Sequence, residues 1–245
     1  MNEKMTREYK VINATMDRDF HLSAAGAQML AQECFASLMA SHGVAAFDLR
    51  RKGQMWIISE YSMEFDGGMP FWGDSVTVEL WLSEISPVKV YSDYRILHDG
   101  RVFCKGYCVW AILDIGSRRP VCASEVLSDV GVTPERLFES YRIRVPEKGA
   151  QKYESVYRTN VGDIDFNNHI CNISYLEAGL DVLPDEYCSS HALKSVSMRF
   201  RHESFLGDKL VCHAYETTTD GQWFCEVVND SGVVCSDICF VYAND

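Results

Sequence analysis

Apolar and polar positions change rhythm twice along this chain, in the same order each time. From Ser23 to Gly43 the apolar residues Met29-Leu30, Phe35 and Leu38-Met39 recur at helical spacing. Ser23 is a suitable cap and Gly43 a natural stop, so a helix is predicted there. Alternating, strand-like runs follow at Trp56–Met63, Ser75–Ser83, Lys89–Leu97 and Val102–Leu113, with His98-Asp99-Gly100 marking a hairpin between the last two. Thr133-Pro134-Glu135 predicts a short helix, with Thr as cap and Pro at its first position. The pattern then fades into a polar stretch around Pro146-Glu147-Lys148-Gly149. A second cycle begins with a strand at Tyr153–Asn160 and a helix from about His169 or Asn172 to Leu183, stopped by Pro184. Strands are predicted at Ala192–His202, Lys209–Thr217, Gln222–Val228 and Gly232–Tyr242.

The two cycles share anchors. Asp17-Arg18-Asp19-Phe20-His21 is answered by Asp163-Ile164-Asp165-Phe166-Asn167, and Ser62-Met63-Glu64-Phe65 by Ser197-Met198-Arg199-Phe200. Phe71-Trp72-Gly73-Asp74 is answered by Phe205-Leu206-Gly207-Asp208, and Cys104/Cys108 by Cys235/Cys239. Four anchors in one order point to a duplicated α+β unit, each a long helix covering the apolar face of an antiparallel sheet. The expected division is 1–145, a linker at 146–152, and 153–245. In this register the polar set Asn167, His169 and Glu203 belongs to the second copy, while the first offers His21, Ser23 and the apolar Met69-Pro70.

Composition narrows the classes. At 245 residues, 47% hydrophobic and 24% charged, the chain fits two ordinary globular domains. No run of about 18 apolar residues suggests a membrane span, and the charged first residues Met1 to Glu8 do not read as a secretory signal, so a cytoplasmic protein is expected. Ten cysteines include no CxxC pair, which argues against structural zinc and for buried thiols in a reducing compartment. The net charge of −12 argues against general nucleic-acid binding. No phosphate-loop or dinucleotide motif occurs, and no cofactor is expected.

Asp163-Ile164-Asp165-Phe166-Asn167-Asn168-His169 puts five polar side chains before a helix. Capping accounts for one or two of them. The alternation of Asp165, Asn167 and His169 predicts that they share one side of an extended strand end.

This run, D-I-D-F-N-N-H-I-C-N, resembles the D-x-D-x-N-x-H-x-N-N signature of plant and bacterial acyl-ACP thioesterases, and Arg199-Phe200-Arg201-His202-Glu203-Ser204 resembles that family's Y-R-R-E-C segment. Phe71-Trp72-Gly73-Asp74, Val109-Trp110 and the doubled unit extend the resemblance over nearly the whole chain. It implies a tandem hot-dog fold, in which a curved antiparallel sheet wraps each helix, and an active site of Asp165, Asn167, His169 and Glu203. It also implies release of free fatty acid from acyl carrier protein. Acyl-CoA hydrolysis and non-catalytic acyl binding are the alternatives. Ser204 stands where the family often has Cys, and Cys171 replaces an Asn after the His, making Cys171 a rival nucleophile. Glu203 and His169 suit water activation, Asn167 would hold the water or the carbonyl, and Asp165 would orient its neighbours; direct attack by Asp165 is the mechanistic rival.

A first unit without the catalytic set is free to hold an acyl tail. Met29, Phe35, Trp56, Ile58, Phe71 and Trp110 are the candidates, each of which is otherwise ordinary core. Carrier proteins are acidic, so docking on this acidic chain needs a local basic patch, for which Arg199, Arg201 and His202 lead and Lys148, Lys152 and Arg158 follow. A homodimer is an open expectation.

Overall fold

The computed structural model describes residues 2–243. The chain forms two compact units, Met1–Tyr141 and Arg142–Asp245.

In the first unit β1 (Met5–Lys10) precedes the helix α1 (Ala24–Ser41), a short α2 (Ala46–Arg51) and the strands β2 (Gln54–Phe65), β3 (Ser75–Ile85), β4 (Val90–His98) and β5 (Arg101–Asp114), followed by α3 (Ala123–Val126). The antiparallel order is β1-β3-β4-β5-β2. α1 packs on β1 and β3, burying Ala27, Leu30, Ala31, Cys34, Phe35 and Leu38. Its start is as expected: Ser23 is extended and its hydroxyl accepts the Gly26 amide at 2.9 Å. Gly26 itself is required, because a Cβ there would lie 2.1 Å from the Thr15 carbonyl oxygen. The β4–β5 hairpin turns through Asp99 and Gly100, both with positive φ (49° and 75°), the conformation that an Asp-Gly pair favours.

The second unit repeats the plan. It consists of β6 (Gln151–Arg158), α4 (Asn172–Leu180), α5 (Asp185–Ser190), β7 (Leu193–Phe200), β8 (Lys209–Glu216), β9 (Gln222–Val228) and β10 (Val234–Tyr242), in the sheet order β6-β8-β9-β10-β7. α4 packs on β6, β9 and β10. Gly179 lets it approach, since a Cβ there would meet the Ile238 side chain at 2.4 Å.

Three expectations change. Thr133-Pro134-Glu135 is not a helix but part of an extended strap across the first sheet. Val132 bridges Leu82, the Thr133 amide donates to the Leu82 carbonyl at 2.8 Å, and the Trp81 indole N–H donates to the Glu135 carbonyl at 2.7 Å. Covering Trp81 and Tyr107 outweighs the local cap signal. The strap ends at Tyr141, whose hydroxyl donates to the buried Asp93 carboxylate. Second, α4 ends at Leu180, and Pro184 opens the separate α5 rather than closing α4. Third, the cysteine pairs are not equivalent. Phe65 pairs with Cys104, but Phe200 pairs with Ser236, so the match to Cys104 is Ser236, one residue beyond Cys235.

Residues 146–152, expected to link the units, are tied to the second sheet. The Lys148 ammonium lies 2.6 Å from Glu226, the Gly149 amide donates to the Glu216 carbonyl at 2.8 Å, and Gln151 opens β6.

Candidate active site

A tight turn precedes α4 in place of the expected extended strand end. Ile164 and Ile170 form an antiparallel bridge across it, and Asn168 sits at φ 63°, a conformation that Asn tolerates better than most residues. One Asp165 carboxylate oxygen accepts the amides of Asn167 (2.7 Å) and His169 (3.2 Å), while the Asp165 amide donates to the His169 carbonyl at 2.9 Å. One Asp165 carboxylate oxygen is thus engaged in closing the turn. Asp163, just before it, is buried. Its carboxylate accepts the Tyr157 hydroxyl (2.6 Å), the Ser174 hydroxyl (2.9 Å) and the Asn160 amide (2.7 Å), fixing the turn to β6 and α4.

The second arm of the site follows β7. The Ile170 amide donates to the Ser204 carbonyl at 2.9 Å, clipping the Glu203-Ser204 segment to the turn. That clip leaves the His169 Nε2 atom 3.4 Å from a Glu203 carboxylate oxygen, with both side chains partly exposed. The Phe205 ring packs edge-on to the imidazole, centroids 5.4 Å apart. His169 and Glu203 therefore meet, Asn167 and Asp165 lie on the same turn, and Cys171 takes the cap position of α4 with its sulfur 3.2 Å from the Ser174 hydroxyl.

The first unit contains the same turn, which corrects the repeat register by two residues. Asp17 accepts the amides of Asp19 (2.9 Å) and His21 (3.0 Å), the Asp17 amide donates to the His21 carbonyl (2.7 Å), and Phe20 has φ 65°. The Leu22 amide donates to the Pro70 carbonyl at 2.8 Å, as Ile170 does to Ser204. Asp17 therefore matches Asp165, not Asp163; Asp19 matches Asn167; His21 matches His169; Ser23 matches Cys171; Met69 matches Glu203. The first copy keeps the histidine. What it lacks is the carboxylate: His21 Nδ1 instead meets the Met69 carbonyl oxygen at 2.8 Å. Anchoring the sequence match on the histidines rather than on the D-x-D-F run gives this register directly. The fixed role of Asp163 and the Ser204 clip had no sequence signal.

Of the tail-binding candidates, Phe35, Trp56 and Trp110 come together. Phe35 stacks on Trp110 with centroids 3.7 Å apart and meets Trp56 edge-on at 5.2 Å. All three are buried, and both indole N–H groups are satisfied, by the Val44 carbonyl and the Ser92 hydroxyl. Ile58 is half-buried on β2 opposite Trp110. Met29 and Phe71 are exposed, and Phe71 packs on Phe20 and His21 at the first turn rather than with the others.

Among the docking candidates, Arg199 donates to the Ile143 carbonyl at 2.6 Å. Arg201 grips the buried Asp237 carboxylate through Nε and Nη2 at 2.7 and 2.6 Å, and His202 is exposed. Lys152 lies 3.2 Å from Glu216, and Arg158 is exposed.

The family model for the acyl-ACP thioesterase N-terminal domain matches residues 2–130, and that for the C-terminal domain matches residues 146–242. An acyl-[acyl-carrier-protein] hydrolase of Cuphea viscosissima, a chloroplastic protein, is 22% identical over 158 residues, 61% of this chain and 38% of that protein. Oleoyl-acyl carrier protein thioesterase 1 of Arabidopsis thaliana, also chloroplastic, is 24% identical over 185 residues, 70% of this chain and 50% of that protein. The chain thus spans half or less of the length of these curated relatives. The crystal structure of an acyl-ACP thioesterase from Bacteroides thetaiotaomicron superposes with a TM-score of 0.87 at 18% identity, covering 98% of each chain, and shows the shared fold. Both units are accordingly hot-dog units in an α+β chain, and no helix among the described residues is long and apolar enough to cross a membrane. The matches of the two domain models, covering most of the sequence, show that the chain belongs to the acyl-ACP thioesterase family.

Proposed function

We propose that this protein hydrolyses the thioester of a fatty acyl chain carried on the phosphopantetheine arm of acyl carrier protein, releasing the free fatty acid. The observation that carries the reading is the Glu203–His169 pair at 3.4 Å, set in a turn that the first unit reproduces with Met69 in place of the carboxylate. A histidine beside a carboxylate suits removal of a proton from water. The water oxygen attacks the acyl carbon, its proton passes to the Glu203/His169 pair, the C–S bond breaks, and the proton is returned to the leaving sulfur. Asn167 holds the water or the carbonyl. The amino end of α4, two residues beyond His169 along the turn, favours the negative charge developing on the carbonyl oxygen.

Asp165 acts in this reading through the backbone it organises. Its engagement with two amides, shared with Asp17 in the unit without the carboxylate, supports orientation over direct attack. The first unit binds the acyl tail, and Arg199 and Arg201, with His202 beside them, form the patch that meets the carrier. Ten free thiols suit a reducing compartment, which on this reading is the cytoplasm.

The test is kcat/KM for purified protein against acyl carrier proteins and acyl-CoAs of graded length, with Glu203→Gln as control. Turnover of carrier-bound chains in preference to CoA, lost in the variant by about 100-fold or more, is the expected result. Equal or better use of acyl-CoA would move the substrate to the free coenzyme, and binding without turnover would leave an acyl-binding protein.

A further inference from the structure

Directly behind Glu203 the second unit buries polar groups that the first unit lacks. Ser204 is fully buried; its carbonyl accepts the Ile170 amide at 2.9 Å and its hydroxyl donates to the Cys235 sulfur at 3.2 Å. Tyr175 of α4 is 3% exposed, with its ring edge-on to Phe200. Its phenol lies against Ser204, yet among the described residues no group completes a hydrogen bond with the hydroxyl. Burial pushes the phenol up, with Ser204 pulling against it, so the hydroxyl stays neutral.

The duplicated unit supplies an internal control. Counting from the shared turn, Tyr175 corresponds to Ala27 and Ser204 to Pro70. Cys235 corresponds to Phe103, since the Arg201 amide donates to the Cys235 carbonyl as the Asp66 amide does to Phe103. All three counterparts are apolar and buried. The same backbone thus packs with no polar cluster where Met69 replaces Glu203. A buried hydroxyl short of a full hydrogen bond is a cost that an apolar side chain avoids. Local departures of this kind concentrate at functional sites.

We propose that Tyr175, Ser204 and Cys235 are positioning residues that set the Glu203 carboxylate against His169. The peptide joining Glu203 to Ser204 orients the Glu203 side chain. Ser204 is fixed at its carbonyl by the turn, at its hydroxyl by Cys235, and on its remaining side by the Tyr175 phenol. The cluster acts through Glu203 and touches no reacting atom, and it rests on the reading that Glu203 activates the water.

The experiment measures kcat, KM and the pH dependence of kcat on one well-used acyl carrier protein substrate for Tyr175→Phe, Ser204→Ala, Ser204→Cys and Glu203→Gln, with thermal melts for each. Ser204→Ala is expected to lower kcat roughly 3- to 10-fold, the worth of its one hydrogen bond to Cys235. Tyr175→Phe, which breaks no completed hydrogen bond but removes the polar atom set against Ser204, is expected to lower it by a similar factor, with KM nearly unchanged and the acid limb of the profile displaced. Tyr175→Phe should melt no lower than wild type, and Ser204→Cys, which keeps a donor, should recover most of the loss. Tyr175→Phe preserves shape, so the test does not depend on Ser204→Ala folding. If Glu203→Gln is inactive while Tyr175→Phe matches wild type in kcat and pH profile, the cluster is packing alone and the inference fails. If Glu203→Gln keeps wild-type kcat, the reading of the site itself fails and the inference falls with it.

Discussion

Asp165 and Asp17 do the same work in different units: each carboxylate accepts the amides two and four residues ahead, and each precedes a histidine on the same tight turn. Since only one of these turns faces a carboxylate across from its histidine, the aspartate belongs to the turn before it belongs to chemistry. Asp17→Ala and Asp165→Ala should each destabilise the protein by about 1–2 kcal/mol, as loss of a capping carboxylate does. Asp17→Ala should leave kcat near wild type, whereas Asp165→Ala should lower it by misplacing His169. Urea unfolding together with steady-state rates decides this. A covalent acyl adduct on Asp165, trapped and located by mass spectrometry, would establish direct attack instead.

The sequence revealed the architecture better than the site. Helix periodicity, the Ser23 cap and the Asp99-Gly100 turn are local signals, and the structure places α1 and the hairpin where they point. The strap from Val132 to Tyr141 has no local signature because its conformation is set by Trp81 and Asp93, remote in sequence, rather than by Thr133 and Pro134. Residue types at the site were legible, but their arrangement was not. Alternation of Asp165, Asn167 and His169 looks like a strand, yet backbone amides captured by Asp165 curl it into a turn. The clip between Ile170 and Ser204 involves only backbone atoms, which leave no trace in side-chain identity.

Cys171 occupies the cap position of α4 without a side-chain capping bond, and its sulfur faces the Ser174 hydroxyl. Cys171→Ala should therefore retain most activity, with kcat within about threefold of wild type, a factor worth less than one ordinary hydrogen bond. Abolished hydrolysis in a variant that melts like wild type would make Cys171 the nucleophile and overturn water activation.

The strap of the first unit should respond to pH. Burial raises the Asp93 carboxyl above its ordinary value, against the hydrogen bonds from Tyr141, Leu137 and Ser83 that lower it. Between the unfolded value near 3.8 and the higher folded one, the folded protein keeps a proton that the unfolded chain has lost. This contribution to stability is full below the unfolded value and is lost as pH rises through the folded value. Asp93→Asn cannot titrate, so its unfolding free energy should gain on wild type as pH rises across that window. Parallel stability curves for the two proteins from pH 3 to pH 8 would contradict this.

Carrier docking is best tested at His202. Removing Arg201 strips the buried Asp237 of its partner and should cost stability, which confounds any binding effect. His202 is exposed, so His202→Glu should leave the melting temperature unchanged while adding a negative charge to the patch. It should raise KM for acyl carrier protein substrates roughly 3- to 10-fold, more at low salt, and leave KM for acyl-CoA unaltered. An equal rise for both substrates would place carrier docking on another surface.

Tail binding in the first unit predicts different behaviour for residues that packing makes different. Trp110 is sandwiched against Phe35 and its indole N–H is bonded to Ser92, so Trp110→Ala should cost about 3–5 kcal/mol of stability and depress rates at every chain length. Ile58 is half-buried and Met29 exposed, so a larger side chain fits at either position with less strain on the core. If they bound the end of the acyl tail, Ile58→Trp or Met29→Trp would shorten the space available. Each methylene denied burial is worth about 0.8 kcal/mol, or roughly fourfold in kcat/KM. Preference should then shift towards shorter chains, with short substrates unaffected. Measured across a graded series, a uniform fall at all lengths in both variants would assign Ile58 and Met29 to the scaffold and put the tail elsewhere.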